Sequence, residues 1–250
     1  MNFVVIDVET ANADLSSICQ VGIARFVDGR LIQKYESLVN PEDEFDDMNV
    51  SIHGIDEEKV RASPNWAEVY PDVNGLMQDK IVVSHTFFDR VAVSRACEKY
   101  ELCQANCQWL DSARVVRRTW PSFSKSGYGL ANVASEFGIQ YKQHDAFEDA
   151  RCAGEILLKA ITETGLSLDE WLERVKQPIH PVSRLARTPA TNPNGPLHGE
   201  VLVFTGALSV SRGEAASAAA DADCEVDASV TKRTTILSLG RSGYSQACRL

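Results

Sequence analysis

No stretch of this sequence approaches the roughly 20 consecutive apolar residues that a bilayer-spanning helix needs. The chain opens directly into a strand-like run with no export signal ahead of it. These absences predict no membrane anchor, no secretion and a cytoplasmic location. Positive charge is also scarce: 25 Lys and Arg against 35 Asp and Glu give a formal charge of −10. Proteins that hold nucleic acid by bulk electrostatics carry a basic face, so any nucleic-acid partner must be held locally. An acidic balance suits a site that gathers carboxylates around divalent cations and equally suits a solvated acidic surface. The seven cysteines, at 19, 97, 103, 107, 152, 224 and 248, are odd in number and scattered, and no two form a Cys-x-x-Cys pair. Neither a disulfide framework nor a zinc ribbon fits, and reduced thiols are expected.

What is present is ordinary for a folded protein: 44% hydrophobic and 24% charged residues over 250 positions. That length predicts one catalytic domain plus a smaller appendage. Residues 3–9 read as a buried strand, and 18–27 and 31–39 as two more, with Asp28-Gly29 as the hairpin turn between them. Ser63-Pro64 reads as an N-cap and first helical position. A short buried strand is expected at 80–84 and a helix at about 88–101. Asp111-Ser112 can cap a short helix, and another runs from Leu130 to Phe137, ending at Gly138. Apolar positions from Phe147 to Thr164 recur at helical spacing until Gly165. Ser167-Leu168-Asp169-Glu170 is a capping box for one more helix. The first domain is therefore placed at 1–176 as mixed α/β. Residues 177–198 hold five of the nine prolines and no acid, which predicts an extended, exposed linker. A third segment, 199–250, follows.

The chemistry gathers on carboxylates. Strand alternation projects Asp7 and Glu9 to one face. Two like charges at the end of an apolar strand are costly unless a cation neutralises them or one takes up a proton, and Mg²⁺ or Mn²⁺ is the simplest compensation. An isolated Asp-x-Glu is more often a pair of exposed acids. Asp89 and Asp149 each fall in the first turn of a helix, where an acid favours the helix dipole without any function. His144, on the loop before the Asp149 helix, could accept a proton from a water beside such a cluster. The combination carries weight that no single member does.

Three segments then resemble the DEDDh, DnaQ-like exonucleases: Phe3-Val-Val-Ile-Asp-Val-Glu-Thr10, Ser84-His-Thr-Phe-Phe-Asp89 and His144-Asp-Ala-Phe-Glu-Asp149. The resemblance covers about residues 1–165. It implies a ribonuclease H-like mixed sheet flanked by helices and a 3′→5′ exonuclease releasing nucleoside 5′-monophosphates from single-stranded 3′ ends, in proofreading or repair, with a DNA polymerase or repair complex as partner. It further implies two divalent ions held by Asp7, Glu9, Asp89 and Asp149, with Asp7 bridging both and His144 as general base. Thr10, His53 and Phe88 are the substrate-binding candidates. His53-Gly54-Ile55 resembles the segment near the terminal nucleotide, and it also reads as a loop turn ahead of the acids 56–58. Thr86 stands where many members carry asparagine, and Asn12 where a glycine is usual. An RNA-trimming exonuclease of the same fold, or an inactive nucleic-acid-binding scaffold, remains open, because the acids alone do not read the 2′-hydroxyl.

Residues 199–208 resemble the opening strand and turn of a BRCT domain, and Arg212 to Ala222 its first helix. Phosphate-binding members would use Thr205 and Gly206, while the plainer reading is a strand-ending turn. The pattern breaks near Ser238 and a polar tail, Arg241 to Leu250, follows. So short a segment buries little surface; disorder, pairing with another chain and a truncated reading frame are all compatible with it.

Overall fold

The computed structural model describes residues 1–179, 195–205, 208–210, 212–227, 230–239 and 246–249. Two compact units divide the chain, Met1–Ile179 and His180–Leu250. Most of the proline-rich stretch, Gly206 of the Thr205–Gly206 turn, and 240–245 and 250 of the tail lie outside the described residues.

The first unit is built on three antiparallel strands, β1 (Asn2–Thr10), β2 (Ile18–Val27) and β3 (Arg30–Leu38). Asp28 and Gly29 join the last two with φ of 49° and 76°, the doubly positive geometry of a tight hairpin turn. Two short helices, α1 (Asp47–His53) and α2 (Glu57–Val60), follow where the sequence suggests only a loop turn and an acidic run. Asp46 and Asp56 cap them, so several of those acids serve as helix starts. Helix α3 (Trp66–Met77) begins later than Ser63-Pro64 implies. Asn65 and Glu68 form a reciprocal capping box, which satisfies two orphan backbone donors at once and fixes the start there.

Strand β4 (Ile81–Ser84) adds parallel to β1, and α4 (Phe88–Lys99) leaves from its end. β5 (Gln108–Asp111), which the sequence pattern does not reveal, pairs parallel to β4; it lacks the β-branched apolar run that marks β4. Asp111 caps α5 (Ser112–Thr119), and α6 (Phe123–Ser126), α7 (Leu130–Glu136), α8 (Ala146–Thr164) and α9 (Leu168–Arg174) complete the unit. The sheet order is β3-β2-β1-β4-β5. Its two faces carry separate cores. Phe3, Val5 and Phe26 pack with Ile156 and Leu157 of α8, while Val4, Ile6 and Ile23 pack with Trp66 of α3 and Ala92 of α4. Alternation along β1 sorts its side chains between the two.

The second unit holds β6 (Val201–Thr205), α10 (Arg212–Asp221), β7 (Glu225–Asp227), β8 (Ile236–Leu239) and β9 (Gln246–Arg249), in sheet order β7-β6-β8-β9. β6 runs parallel to both neighbours, and β9 returns antiparallel to β8. Leu202, Ala219 and Cys224 form its small core. Part of the polar tail is therefore a strand, because ladder pairing uses backbone groups and needs no apolar pattern. Cys19, Cys97, Cys103, Cys107, Cys152 and Cys224 are all free thiols. Among the described residues no helix is long and apolar enough to cross a membrane.

Candidate active site

Phe3 and Val5 lie in the α8-side core and Val4, Ile6 and Val8 in the other, so Asp7 and Glu9 continue the face that α8 covers. A bulge between Glu9 and Thr10 ends the regular pairing with β2. Asp7 pairs across the ladder with Gly22, and a Cβ at Gly22 would sit 2.2 Å from backbone atoms of Ala146 and Phe147. Only a bare backbone lets the start of α8 approach the sheet this closely. Gln20 Oε1 accepts the Ala146 N–H at 3.2 Å, and Asp145 caps the helix by accepting from Glu148 N. Asp149 is thereby buried at the first turn.

Asp89 arrives from the first turn of α4. Its Oδ1 accepts the Val8 N–H at 3.0 Å, which ties the α4 start to the end of β1. Because β1 and β4 run parallel, these acids share the carboxyl edge of the sheet, where open α/β sheets place their ligands. His144 precedes α8 with φ of 59°, uncommon for a residue with a side chain. Its ring is half exposed, with Nδ1 3.9 Å from Glu9 Oε1. One ligand atom each from Glu9, His144 and Asp149 lie within 4.8 Å of one another.

Asp7, Glu9, Asp89, His144 and Asp149 all line one open cavity of about 360 Å³, with Phe88, His85, Thr86 and Tyr141 in the same wall. Thr10 and His53 do not. They bond each other instead: His53 Nε2–H donates to Thr10 O at 3.2 Å, and Nδ1 accepts the Ile55 N–H at 3.0 Å. Both ring nitrogens are thus occupied in fastening the end of α1 to the end of β1, and burial lowers the His53 pKa. His85 lies inside the second motif and is not among the site candidates that the sequence offers. It spans two neighbours, with Nε2–H donating to Tyr128 O at 2.8 Å and Nδ1 2.9 Å from Ser112 Oγ. Tyr141 sits on a loop without periodicity, so no pattern in the sequence points to it.

No Lys or Arg lines this cavity. Burial, then Asp89, Asp149, Glu9 and Asp145, push the Asp7 carboxyl well above the ordinary range. Burial and then Asp149 raise Glu9 to about 8. Asp89 is raised to about 7, chiefly by burial and against the Val8 hydrogen bond. Asp149 rises to about 6, also by burial, with the His144 backbone hydrogen bond opposing. Burial and the nearby Asp149 raise the Tyr141 phenol as well. Four carboxylates that resist ionising together either hold protons or are neutralised by an external positive charge. Oxygen donors without cysteine fit a hard divalent cation.

The exonuclease family model matches residues 4–157, a span that contains every one of these acids. The chain belongs to the exonuclease family. Among similar proteins, a PolC-type DNA polymerase III of Thermotoga petrophila is 24% identical over 184 residues, covering 71% of this chain and 13% of that relative. The chain thus spans about an eighth of that protein's length. Exonuclease X, solved with 5′-overhanging duplex DNA, superposes with a TM-score of 0.57 at 19% identity, covering 69% of this chain and 99% of that one. The nuclease domain of 3′hExo, a DEDDh member bound to rAMP, gives 0.54 at 16% identity, with coverage of 65% and 92%. The first unit therefore has the ribonuclease H-like fold that these solved exonucleases share.

Proposed function

We propose that this exonuclease removes nucleotides one at a time from single-stranded DNA 3′ ends, using two Mg²⁺ or Mn²⁺ ions held by Asp7, Glu9, Asp89 and Asp149. The convergence of these four acids with His144 on one cavity carries the reading. When bound, such ions would polarise the phosphodiester and offset charge on the leaving 3′-oxygen. The chain's own residues set the rest of the chemistry. The exposed His144 ring takes the proton of the attacking water, and Glu9, 3.9 Å from Nδ1, orients the ring and favours the imidazolium that forms. Water adds to phosphorus, the P–O3′ bond breaks, and a nucleoside 5′-monophosphate leaves. Phe88, at the cavity wall, packs against the terminal nucleotide. Thr10 and His53 act from behind the lining by holding the bulge that follows Glu9.

A polymerase or repair assembly as the setting draws support from the PolC-type relative, and DNA as substrate from that relative and from the exonuclease X complex. The rAMP bound to 3′hExo makes RNA trimming the reading to test against. Matched fluorescent DNA and RNA strands with recessed or free 3′ ends, incubated with Mn²⁺, decide between them. DNA is expected to shorten from the 3′ end, and EDTA or Asp7→Ala to stop it. Faster RNA shortening would reassign the substrate, and no shortening of either strand would leave only a binding scaffold.

A further inference from the structure

Phe87 is the most exposed large hydrophobic side chain among the described residues, at 71%. It stands between two residues of the cavity wall, Thr86 and Phe88, without lining the cavity itself. The turn that carries it is fixed. Thr86 has φ of 96°, a costly conformation for a β-branched residue. Ser84 Oγ donates to Thr86 O at 2.6 Å, and the Phe88 N–H donates to Thr86 Oγ1 at 3.3 Å. Phe87 is also the N-cap of α4 and makes no side-chain cap bond. The fold thus holds an aromatic ring in water on a strained but braced turn, one residue outside the site of hydrolysis.

We propose that Phe87 is a stacking step for an unpaired base of the substrate strand, upstream of the nucleotide being cleaved. The inference rests on the single-stranded 3′-end reading above. A strand whose last phosphodiester lies against the acids leaves the cavity over its rim, and Phe87 stands on the part of that rim set by Thr86 and Phe88. No Lys or Arg in the cavity lining can grip its phosphates, and the chain's net charge of −10 repels them. Stacking on an aromatic face supplies affinity that needs no positive charge and accepts any base. Two neighbouring exposed rings, Phe87 and Phe88, beside an acid-bearing cavity are also smaller than the contiguous apolar patch that a protein partner requires.

Phe87→Ala, Phe87→Leu and Phe87→Trp separate stacking from bulk hydrophobicity. Each is assayed on a DNA oligonucleotide and on the ester of thymidine 5′-monophosphate with the 3′-hydroxyl of an abasic deoxyribose, which has no upstream base or other aromatic ring. Phe87→Ala is expected to raise the oligonucleotide KM by about 5–100-fold, as loss of one base stack implies, and by at least fivefold more than it raises the KM for the ester. Phe87→Leu should behave like alanine and Phe87→Trp like the parent. An abasic position walked through the last nucleotides should raise the parent's KM at one place and leave Phe87→Ala indifferent there. Equal KM changes on oligonucleotide and ester, or full rescue by leucine, would overturn the stacking role. A parent inactive on both substrates would sink the nuclease reading and this inference together. A parent active on both, with Phe87→Ala matching it, would sink the inference alone.

Discussion

Glu148 and Asp149 are neighbours on α8 and end in opposite electrostatic settings. Glu148 shares Arg151 with Glu155, at 2.8 and 2.5 Å, and these acids raise the arginine pKa. Asp149 turns instead towards Asp7, Glu9 and Asp89, where no cation of the chain lines the wall. One residue of helix rotates a side chain by about 100°, enough to move a carboxylate from a neutralised cluster to an unneutralised one. The fold supplies its own counter-charge to Glu148 and provides none around Asp149.

Asp149→Ala breaks the comparison most sharply. Activity should fall at least about a hundredfold, as expected when a ligand of a catalytic ion is lost, while Glu148→Gln should change it by less than about threefold. Comparable losses from both, measured as kcat/KM on one oligonucleotide, would remove the distinction between the two acids. Gly22→Val tests how the inner acid is placed. A side chain there meets the α8 backbone at 2.2 Å, and backbone cannot swing aside as a side-chain tip can. A loss of about 3 kcal/mol or more is expected, read from denaturant unfolding, along with most of the activity.

That glycine shows what the sequence could and could not disclose. That Asp7, Glu9, Asp89, His144 and Asp149 meet at one cavity was legible because their three segments follow one another in a recognisable order, on or beside elements the sequence pattern shows. The first three strands and α8 were legible for the same reason: long elements display their period. β5 and α1 were not, being too short to show one and lacking the β-branched apolar run that betrays β4. Gly22 looks like any residue of a buried strand, since its role depends on a helix more than a hundred positions away. His53 is a different case. Its motif reads both as a segment near the terminal nucleotide and as a loop turn, and only coordinates show that both its ring nitrogens bond backbone partners.

The unneutralised cluster should also set the stability of the metal-free protein. Glu9, Asp89 and Asp149 hold protons more tightly folded, at about 8, 7 and 6, than unfolded, where carboxylates titrate near about 4. The folded state therefore binds more protons, and stability falls as pH rises from about 4 and levels beyond about 8. In EDTA, unfolding free energy should drop by several kcal/mol, up to about 8, between about pH 5 and pH 8.5. Mg²⁺ or Mn²⁺ should restore most of it, with the largest gain at the alkaline end. The double variant Asp7→Asn, Glu9→Gln should flatten the slope. A slope unchanged by both metal and substitution would place its origin on the acidic surface instead.

Arg151→Ala sharpens the comparison with the smallest effect. Its two ion pairs lie at the surface, with side-chain exposures of 20%, 28% and 38% for Arg151, Glu148 and Glu155, so solvent screens them and each contributes at most about 1 kcal/mol. The same guanidinium donates to Gln140 O at 2.8 Å, which anchors the loop running on to Tyr141 and His144. Removing it should therefore cost about 1–2 kcal/mol in low salt, less in 1 M salt where the Debye length shrinks to about 3 Å. The rise in Tm on adding Mn²⁺ should remain that of the parent, because Glu148 and Glu155 face away from the ions' ligands. If instead the metal-induced rise grows when Arg151 is lost, Glu148 has become a ligand. The structural counter-charge would then be what keeps the outer acid out of the site, and the two settings on α8 would be linked through Arg151.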